Sequence, residues 1–337
     1  MTAMTPRECV KRAVLFQGPE RVPVALPVEW GDDFFWVSVT GDPGWKPSIA
    51  TDLRWEDEWG CIWEKLPGDK TKGQVKEFPL RDYGSFDRLR FPDYENPARY
   101  TAARERIAAN VDDRFVMAGI PLSLIHRLEY LRGHEEAWTD PYLHPLELGR
   151  LLDRLSDIAI DAIDEYARIG VDGVFSCDDW GLQDRLMIQP DAFREFWKPR
   201  YKRVYRHAHE KGMLTFLHSC GYIIDILRDL KEAELDVIQM DQQENMGLAR
   251  LDAVAGGHLC FWCPVDIQKT MIHGTIAEIE GYARKLIDTF GKYNGGFIGK
   301  WYPSPEAVGH TPEKIAAMSK TFVEYGMASK NIVVKPV

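Results

Sequence analysis

The sequence predicts a single-domain (β/α)8 barrel, and three observations support this fold class. Short apolar runs of strand length alternate with longer amphipathic stretches over most of the 337 residues. The predicted strands are apolar throughout, which is typical of parallel strands covered on both faces. No G-x-G-x-x-G motif follows an early strand, as a dinucleotide-binding doubly wound sheet would require. At least seven strand–helix units therefore favour one barrel domain over residues 1–337.

The N-terminal third is predicted to begin with a helix and then to become irregular. Thr5 is a suitable N-cap, Pro6 occupies the first helical position, and Gly18 ends the helix. The apolar run over 22–30 is expected to form the first strand. Residues 31–95 are rich in Trp and Asp and are expected to form an irregular insertion or small hairpins.

From residue 96 onward the predicted helices and strands alternate regularly. The longest helix is expected over 144–168, because leucine, isoleucine and alanine recur on one face, and Gly170 ends it. Pro199 is expected to kink the helix over 189–212. Further helices are predicted over 96–110, 122–133, 222–234 and 275–291 and from Thr311-Pro312 onward, and strands over 114–120, 173–180, 213–221, 235–241, 258–266 and 295–302.

Composition and charge exclude several classes of protein. Lys and Arg number 42 and Asp and Glu 52, so the net charge of −10 argues against nucleic-acid binding, which needs a basic face. No apolar run approaches the roughly 20 residues of a membrane helix, and the N-terminus has no signal-peptide pattern. The six scattered cysteines are typical of reduced thiols. We therefore expect a cytoplasmic protein that acts on a small molecule, with no nucleic-acid or membrane partner.

Residues that can bind metals or flat apolar molecules collect where the predicted strands end. In a (β/α)8 barrel the active site is built at the carboxyl ends of the strands. Loops are polar in any protein, which accounts for aspartates at these ends but accounts poorly for His, Cys and Trp. The candidate site residues at these positions are Trp30, Asp178, Asp179, Trp180, His218, Cys220, Gln239, Trp262, Cys263, Trp301 and Tyr302.

The segment His218-Ser219-Cys220-Gly221 is the clearest metal-binding pattern. In extended backbone, residues i and i+2 face the same side, so His218 and Cys220 can reach one ion. Imidazole and thiolate are ligands that zinc prefers. The alternative is a buried histidine bonded to a backbone carbonyl beside a packed thiol. Cys260 and Cys263 alternate across a strand, so at most one faces the site, and Cys263 at the strand end is the candidate ligand. The alternative for Cys263 is a small core residue.

Asp178 and Asp179 are the candidate catalytic carboxylates. One of them could be a metal ligand, a general base or a helix cap. The aromatic residues at the strand ends form the candidate substrate-binding surface, because tryptophan at a barrel mouth builds flat apolar pockets whereas barrel cores prefer branched aliphatic residues. The alternative is that some of these tryptophans fill the core. The residues assigned to substrate binding are Trp30, Trp180, Gln239, Trp262, Trp301 and Tyr302.

Four segments resemble the uroporphyrinogen decarboxylase superfamily over nearly the whole chain: RVPVALPVEW near the start, DDWG, HSCG and the closing HTPEKIAAM. The resemblance implies a (β/α)8 barrel. The Arg-rich M-R-Q-A-G-R motif of the true decarboxylases is absent, so porphyrinogen decarboxylation is not expected. The remaining branch contains corrinoid-dependent zinc methyltransferases, which include methylcobalamin:coenzyme M methyltransferases and the methyltransferases of O-demethylase systems.

In the coenzyme M branch, an H-x-C pair and a later cysteine bind zinc. His218 and Cys220 match the pair, but no cysteine follows Cys263, so the third ligand of that pattern is missing. Cys263, Asp178, Asp179 or Glu244 could complete the set.

The resemblance leads to the hypothesis of a zinc-dependent methyltransferase that moves a methyl group between a small substrate and the cobalt of a separate corrinoid protein. The chain has no corrinoid-binding D-x-H-x-x-G motif, so that partner is expected to be another protein. Zinc could activate a thiol acceptor or act as a Lewis acid on an ether oxygen. The many tryptophans favour an aryl methyl ether and O-demethylation, whereas a charged thiol would need a cation, for which Lys300 is the strand-end candidate. The alternatives are a methylcobalamin:thiol methyltransferase, a metal-free decarboxylase or lyase that uses Asp178 or Asp179, and a binding protein without turnover.

Overall fold

The architecture is set by one large parallel sheet. A computed structural model describes residues 4–69, 71–120 and 123–328. In chain order its strands are β1 (Val24–Ala25), β2 (Phe34–Val37), β3 (Arg54–Glu56), β4 (Ile62–Glu64), β5 (Gln74–Glu77), β6 (Phe115–Gly119), β7 (Gly173–Cys177), β8 (Leu214–His218), β9 (Val237–Gln239), β10 (Cys260–Cys263) and β11 (Phe297–Lys300). Eight of them pair in parallel in the order β1-β11-β10-β9-β8-β7-β6-β2. The predicted (β/α)8 barrel is therefore confirmed.

The first and last strands of this order, β1 and β2, meet and nearly close the barrel. The backbone N–H of Asp33 donates to the carbonyl of Val24 at 2.8 Å. The Asp33 carboxylate in turn accepts from the Val24 amide at 2.7 Å. An antiparallel bridge between Ala25 and Asp32 adds to this junction. A side chain and a two-residue bridge thus replace a regular ladder at this point.

Helices cover the outside of the sheet between successive strands. They are α1 (Pro6–Val14), α2 (Thr101–Ala108), α3 (Leu124–Arg132), α4 (His134–Leu143), α5 (Pro145–Ile169), α6 (Pro190–Ala192), α7 (Lys198–Glu210), α8 (Leu227–Glu232), α9 (Leu248–Ala255), α10 (Thr270–His273), α11 (Ile276–Phe290), α12 (Pro305–Val308) and α13 (Pro312–Ala328). The predicted N-cap of α1 is confirmed, because the Thr5 side chain accepts from the Glu8 amide at 3.3 Å.

Of the two predictions about helix interruption, the helix end at Gly170 is confirmed, whereas the kink expected at Pro199 stays a prediction. The long helix α5 ends at Gly170, whose φ of 84° is the left-handed conformation that favours glycine. At Pro199 the helix is irregular but not simply kinked: a π-helical turn (Phe193–Trp197) lies between α6 and α7. Pro199 has no N–H to donate to the carbonyl four residues earlier, so the wider turn precedes it.

The prediction for residues 31–95 is only partly correct. The segment contains the expected hairpins, since β3, β4 and β5 form a separate antiparallel sheet. It also contains β2, a barrel strand that the sequence analysis placed in the irregular insertion. This strand has four residues and follows Gly31-Asp32-Asp33, a sequence typical of a turn. A strand so short is recognisable only from its parallel pairing with β6.

The hydrophobic core has two layers, one inside the barrel and one between the sheet and the helices. The inner layer includes Phe34, Phe115, Phe216 and Trp262, and helix α1 contributes Val10 and Val14 to it. The outer layer includes most other buried apolar residues of the helices and strands. The barrel interior is thus rich in aromatic side chains, where branched aliphatic residues are usual.

Among the described residues, no helix combines the length and the apolar character needed to span a membrane.

Candidate functional site

The candidate site lies where β7, β8 and β9 end at the carboxyl side of the barrel. Parallel pairing places Cys177 of β7 beside His218 of β8, and His218 beside Gln239 of β9. Side chains two residues apart on a strand face the same way, so the last inward positions of adjacent strands converge. The loop after β7 adds Asp179, and the loop after β8 adds Cys220.

Three potential metal ligands come together at this point, and a fourth, Cys220, lies beside one of them. Ligand atoms of Cys177, Asp179 and His218 all lie within 4.8 Å of one another. The Cys220 Sγ lies 3.2 Å from His218 Nε2, and the Asp179 Oδ1 lies 3.4 Å from the same nitrogen. Bond lengths of 2.0–2.3 Å in a tetrahedral zinc site imply ligand atoms about 3.3–3.8 Å apart. The donor set of sulfur, nitrogen and carboxylate oxygen therefore fits zinc in chemistry, and the two contacts of His218 Nε2 are close to the spacing of a zinc site.

The two loops that carry these ligands are joined by their backbones. The Cys220 amide donates to Asp179 Oδ1 at 2.8 Å, and the Gly181 amide donates to the Cys220 carbonyl at 3.2 Å. The approach requires glycine on both loops: a Cβ on Gly181 would lie 2.3 Å from the Tyr222 nitrogen, and one on Gly221 would lie 2.1 Å from the Gly181 carbonyl oxygen. The glycine of the HSCG segment thus permits Asp179 and Cys220 to face the same point.

We expect Gly221→Ala to lower the free energy of unfolding by about 2–4 kcal/mol, because it adds a backbone clash to the cost of a left-handed residue. Gly212 is the matched control: its φ of 79° is nearly that of Gly221 at 78°, but a Cβ there meets nothing within 4 Å. Gly212→Ala should cost only about 1–2 kcal/mol. Urea denaturation of both variants checks this difference, and equal losses would show that the loop contact is unimportant.

The charges of His218 and Asp179 stabilise each other. Burial by itself lowers the pKa of His218, but hydrogen bonds and charges of Asp179 and Cys220 outweigh it and raise the pKa to about 10. Burial by itself raises the pKa of Asp179, but the hydrogen bond and charge of His218 and the Cys220 amide outweigh it and lower the pKa to about 2. The cluster therefore favours an ionised carboxylate beside the imidazole.

A second histidine, His126 of α3, holds Asp179 from the other side. Its Nε2 accepts from the Asp179 amide at 3.3 Å and lies 3.7 Å from Asp179 Oδ2. His126 is not indicated by the sequence, because no spacing links a residue of α3 to the loop after β7. Asp179 is thus fixed by His126, by the Cys220 amide and by His218 together.

Asp178 has a different environment from its neighbour. It is fully buried, and its carboxylate accepts from the amides of Leu124, Ile125 and His126 at 3.0–3.2 Å. The Tyr201 hydroxyl also donates to it at 2.5 Å. These are the contacts of a cap at the N-terminus of α3, which is one of the roles foreseen for an aspartate here. Asp178 anchors a helix, whereas Asp179 reaches the ligand cluster.

Gln239 lies behind the ligand cluster. Its Oε1 is hydrogen-bonded to His218 Nδ1, and its Nε2 donates to Asp241 Oδ1 at 2.9 Å. Lys300, at the end of β11, donates to the same Asp241 oxygen at 2.8 Å. Gln239 is only 4% exposed. The structure therefore places this residue, assigned to substrate binding from the sequence, in contact with the candidate ligand His218.

The predicted aromatic surface divides into buried and accessible members. Trp180 is fully buried, and its ring contacts Trp138, Phe193, Trp197 and Tyr201, so it fills the core around α7.

Trp262 is also buried, inside the barrel, and stacks on Phe34 with ring centroids 4.8 Å apart. Trp36 of β2 lies next to Trp262, with centroids 6.5 Å apart, and is 37% exposed. Trp30, Trp301 and Tyr302 are half-buried after β1 and β11. Trp36, Trp30, Trp301 and Tyr302 are therefore the accessible members among these aromatic residues.

Cys263 lies apart from the four ligands. Its side chain is fully buried in the outer hydrophobic layer together with Phe261, whereas Cys260 and Trp262 face the barrel interior. The alternation of a strand is the reason: the inward residues of β10 are Cys260 and Trp262, so Cys263 points to the helices. Cys177, and not Cys263, is the cysteine that lies with Asp179 and His218. Its position at the end of a predicted strand was the available signal.

Comparisons with known proteins give a consistent family relationship. The family model for uroporphyrinogen decarboxylase matches residues 66–324. A uroporphyrinogen decarboxylase of Chlorobaculum tepidum is 23% identical over 235 residues, which cover 67% of this chain and 64% of that protein. One of Geobacter metallireducens is 22% identical over 230 residues, which cover 65% of this chain and 64% of that protein. The alignments thus span slightly less than two thirds of these curated relatives.

One solved structure resembles the barrel over nearly its whole length. A methyltransferase from Methanosarcina mazei superposes with a TM-score of 0.67, covering 96% of this chain and 99% of that chain. The sequence identity is 16%, so the similarity is one of fold.

Proposed function

Because this chain belongs to the uroporphyrinogen decarboxylase family, we propose that it is an enzyme of the corrinoid-dependent methyltransferase branch. It moves a methyl group between a small substrate and the cobalt of a separate corrinoid protein, and the preferred substrate is an aryl methyl ether. The observation that carries the proposal is the cluster of Cys177, Asp179 and His218, with Cys220 beside it, at the carboxyl end of the barrel. The M. mazei methyltransferase with the same fold supports the choice of branch.

The four clustered residues are the proposed zinc ligands. Two thiolates, one imidazole and one carboxylate are all established zinc ligands, so no cysteine near the C-terminus is required. Cys177 and Asp179 take the places that the H-x-C pattern left open. Zinc bound there would have to take the oxygen of the methyl donor as an additional, fifth ligand, and its Lewis acidity would then make phenolate a better leaving group.

The chain's own residues keep the ligands in place. Asp179 is fixed by the Cys220 amide at 2.8 Å and by His126, and His218 is fixed by Gln239. Ligands held by such contacts lose little conformational freedom on binding, which favours affinity.

The substrate would lie against the aromatic residues at the same end of the barrel. Trp36 is partly exposed and contacts Phe175 edge-to-face with centroids 5.4 Å apart. Its indole presents a flat apolar face on which an aryl ring can stack. Phe175 lies two residues before the proposed ligand Cys177 on β7. An aryl ring on Trp36 would therefore lie next to Phe175, the inward residue of β7 that precedes Cys177.

The first experiment combines metal content with methyl transfer. The protein, purified without chelators or a histidine tag, is expected to hold about one zinc per chain. With Co(I) cobalamin and an aryl methyl ether, the zinc-loaded protein should form methylcobalamin and the free phenol, and chelator-treated protein should not. Methylcobalamin is followed by its absorbance spectrum. A protein that takes up no zinc even after reconstitution would contradict the proposal.

A metal-free decarboxylase is the second candidate, and the curated relatives favour it, since both are uroporphyrinogen decarboxylases. In that case Asp179 would act as the proton donor or acceptor, because Asp178 is occupied in capping α3. This candidate predicts turnover of a carboxylate substrate with release of carbon dioxide that chelators do not affect. The metal analysis therefore separates the two candidates.

A further inference from the structure

A chain of three polar side chains runs behind His218. Lys300 Nζ donates to Asp241 Oδ1 at 2.8 Å, Gln239 Nε2 donates to the same oxygen at 2.9 Å, and Gln239 Oε1 is hydrogen-bonded to His218 Nδ1. All three side chains are nearly inaccessible, with exposures of 9% for Lys300, 5% for Asp241 and 4% for Gln239. Buried polar groups of this kind are costly unless each is paired, and here each has a partner.

The direction of every hydrogen bond in this series of side chains follows from Lys300. Lys300 is a donor only, so it stabilises Asp241 as a carboxylate, which is an acceptor only. Gln239 must therefore turn its NH2 group to Asp241, and its Oε1 is left facing His218. An amide oxygen accepts, so in the neutral imidazole, the form that binds a metal, the proton must be on Nδ1. The lone pair is then on Nε2, the nitrogen that lies nearest Cys220 and Asp179.

We infer that Gln239 is a positioning residue that selects the Nδ1–H tautomer of His218 for metal binding, and that Lys300 and Asp241 act through it. The inference rests on the proposed function and explains why a buried lysine lies next to a site for a cation. Lys300 neutralises Asp241 instead of contacting substrate, which was its expected role with a charged thiol. The carboxylate–lysine pair orients the amide, and the amide orients the ligand.

The test is zinc affinity, measured by competition with a chromophoric chelator. Gln239→Met removes the acceptor at nearly constant volume and should weaken zinc binding about 10–100-fold, the usual effect of losing such a partner. Lys300→Met should weaken it by a smaller factor. The double variant should bind zinc as the Gln239→Met variant does, to within about twofold, because Lys300 has nothing left to act through.

Two further variants separate positioning from a general loss of packing. Gln243 is a fully buried glutamine that donates to the Pro264 carbonyl at 2.8 Å and does not contact His218, so Gln243→Met should leave zinc affinity unchanged. Gln239→Glu places a carboxylate against Asp241 and should weaken binding. In the double variant Gln239→Glu/Asp241→Asn, the new amide at position 241 can donate to the new carboxylate at position 239, which can still accept from His218 Nδ1. This variant should recover most of the zinc affinity.

The proton position can be measured directly. In protein loaded with ¹¹³Cd as a zinc substitute, the ¹⁵N spectrum should show the metal coupling on His218 Nε2 and a bound proton on Nδ1. In the metal-free wild type at alkaline pH, where the imidazole is neutral, the remaining proton should also be on Nδ1. A proton on Nε2 in either state would overturn the inference.

Failure of the inference and failure of the proposed function give different results. Two results would overturn the positioning role alone. In the first, Gln239→Met and Lys300→Met bind zinc as tightly as wild type. In the second, the loss of affinity in the double variant is the product of the two single losses. A wild-type protein that binds no zinc contradicts the proposed function, and the metal-free spectrum then still decides the position of the proton.

Discussion

Replacing His218 or Cys220 by alanine is expected to weaken zinc binding by more than about 100-fold and to abolish methyl transfer, because each change removes a ligand of the proposed metal. Cys177→Ala should have the same effect, since its sulfur lies in the same cluster as Asp179 and His218. The measurement is zinc per chain by mass spectrometry after dialysis, with turnover of an aryl methyl ether measured on the same samples.

Cys263→Ala is the matched control for these variants. It removes a sulfur that the sequence suggested as a ligand but that lies in the outer hydrophobic layer. We expect it to retain full zinc and to cost only the packing of one small buried group, about 1 kcal/mol. Loss of zinc in Cys263→Ala together with retention in Cys177→Ala would reverse the assignment of the third ligand. Full zinc in both His218→Ala and Cys220→Ala would exclude the proposed site.

Asp178→Ala is expected to destabilise the fold by about 3–5 kcal/mol, the cost of removing one partner from a buried, charged hydrogen-bond network. The change leaves the amides of Leu124, Ile125 and His126 without their acceptor at the start of α3. It also leaves the Tyr201 hydroxyl without its carboxylate. Chemical denaturation followed by circular dichroism measures the loss.

Asp179→Asn is the comparison that assigns separate roles to the two adjacent aspartates. It is nearly isosteric and keeps an oxygen for the Cys220 amide, so stability should change by less than about 1 kcal/mol, whereas zinc binding should weaken. Tyr201→Phe, which removes only one of the four groups that donate to Asp178, should cost about 1–2 kcal/mol. An Asp178→Ala protein as stable as wild type but inactive would show that Asp178 is catalytic and not a helix cap.

The features predicted correctly are those whose signals lie close together in the chain. The helix α5 was identified by its apolar face and its terminal glycine, and strand β8 by its apolar run over 213–221, although the strand ends at His218. Strand β2 was missed because four residues after a turn-like segment carry too little periodicity. Its identity depends on pairing with β6, about 80 residues later.

The candidate site shows the same division between local and distant signals. His218 and Cys220 were recognised from one tetrapeptide, since backbone alternation makes them neighbours in any strand. Asp178 and Asp179 are equivalent in the sequence, and they differ only because α3 presents its N-terminal amides to one of them. Asp241 follows Gln239 by two residues, but nothing near either residue indicates Lys300, which follows Gln239 by 61 residues. The parallel pairing of β9, β10 and β11 brings Lys300 to Asp241.

Local chemistry was therefore sufficient for the barrel class, for most of its helices and for half of the proposed ligand set, because 3.6-residue and two-residue periodicities are properties of short segments. The tertiary structure was needed to select Cys177 over Cys263, to separate Asp178 from Asp179, and to join Lys300 to His218 through Gln239. Those choices depend on which side chains of different strands and helices meet at one end of the barrel, and that is set by the closure and register of the sheet, which no short segment contains.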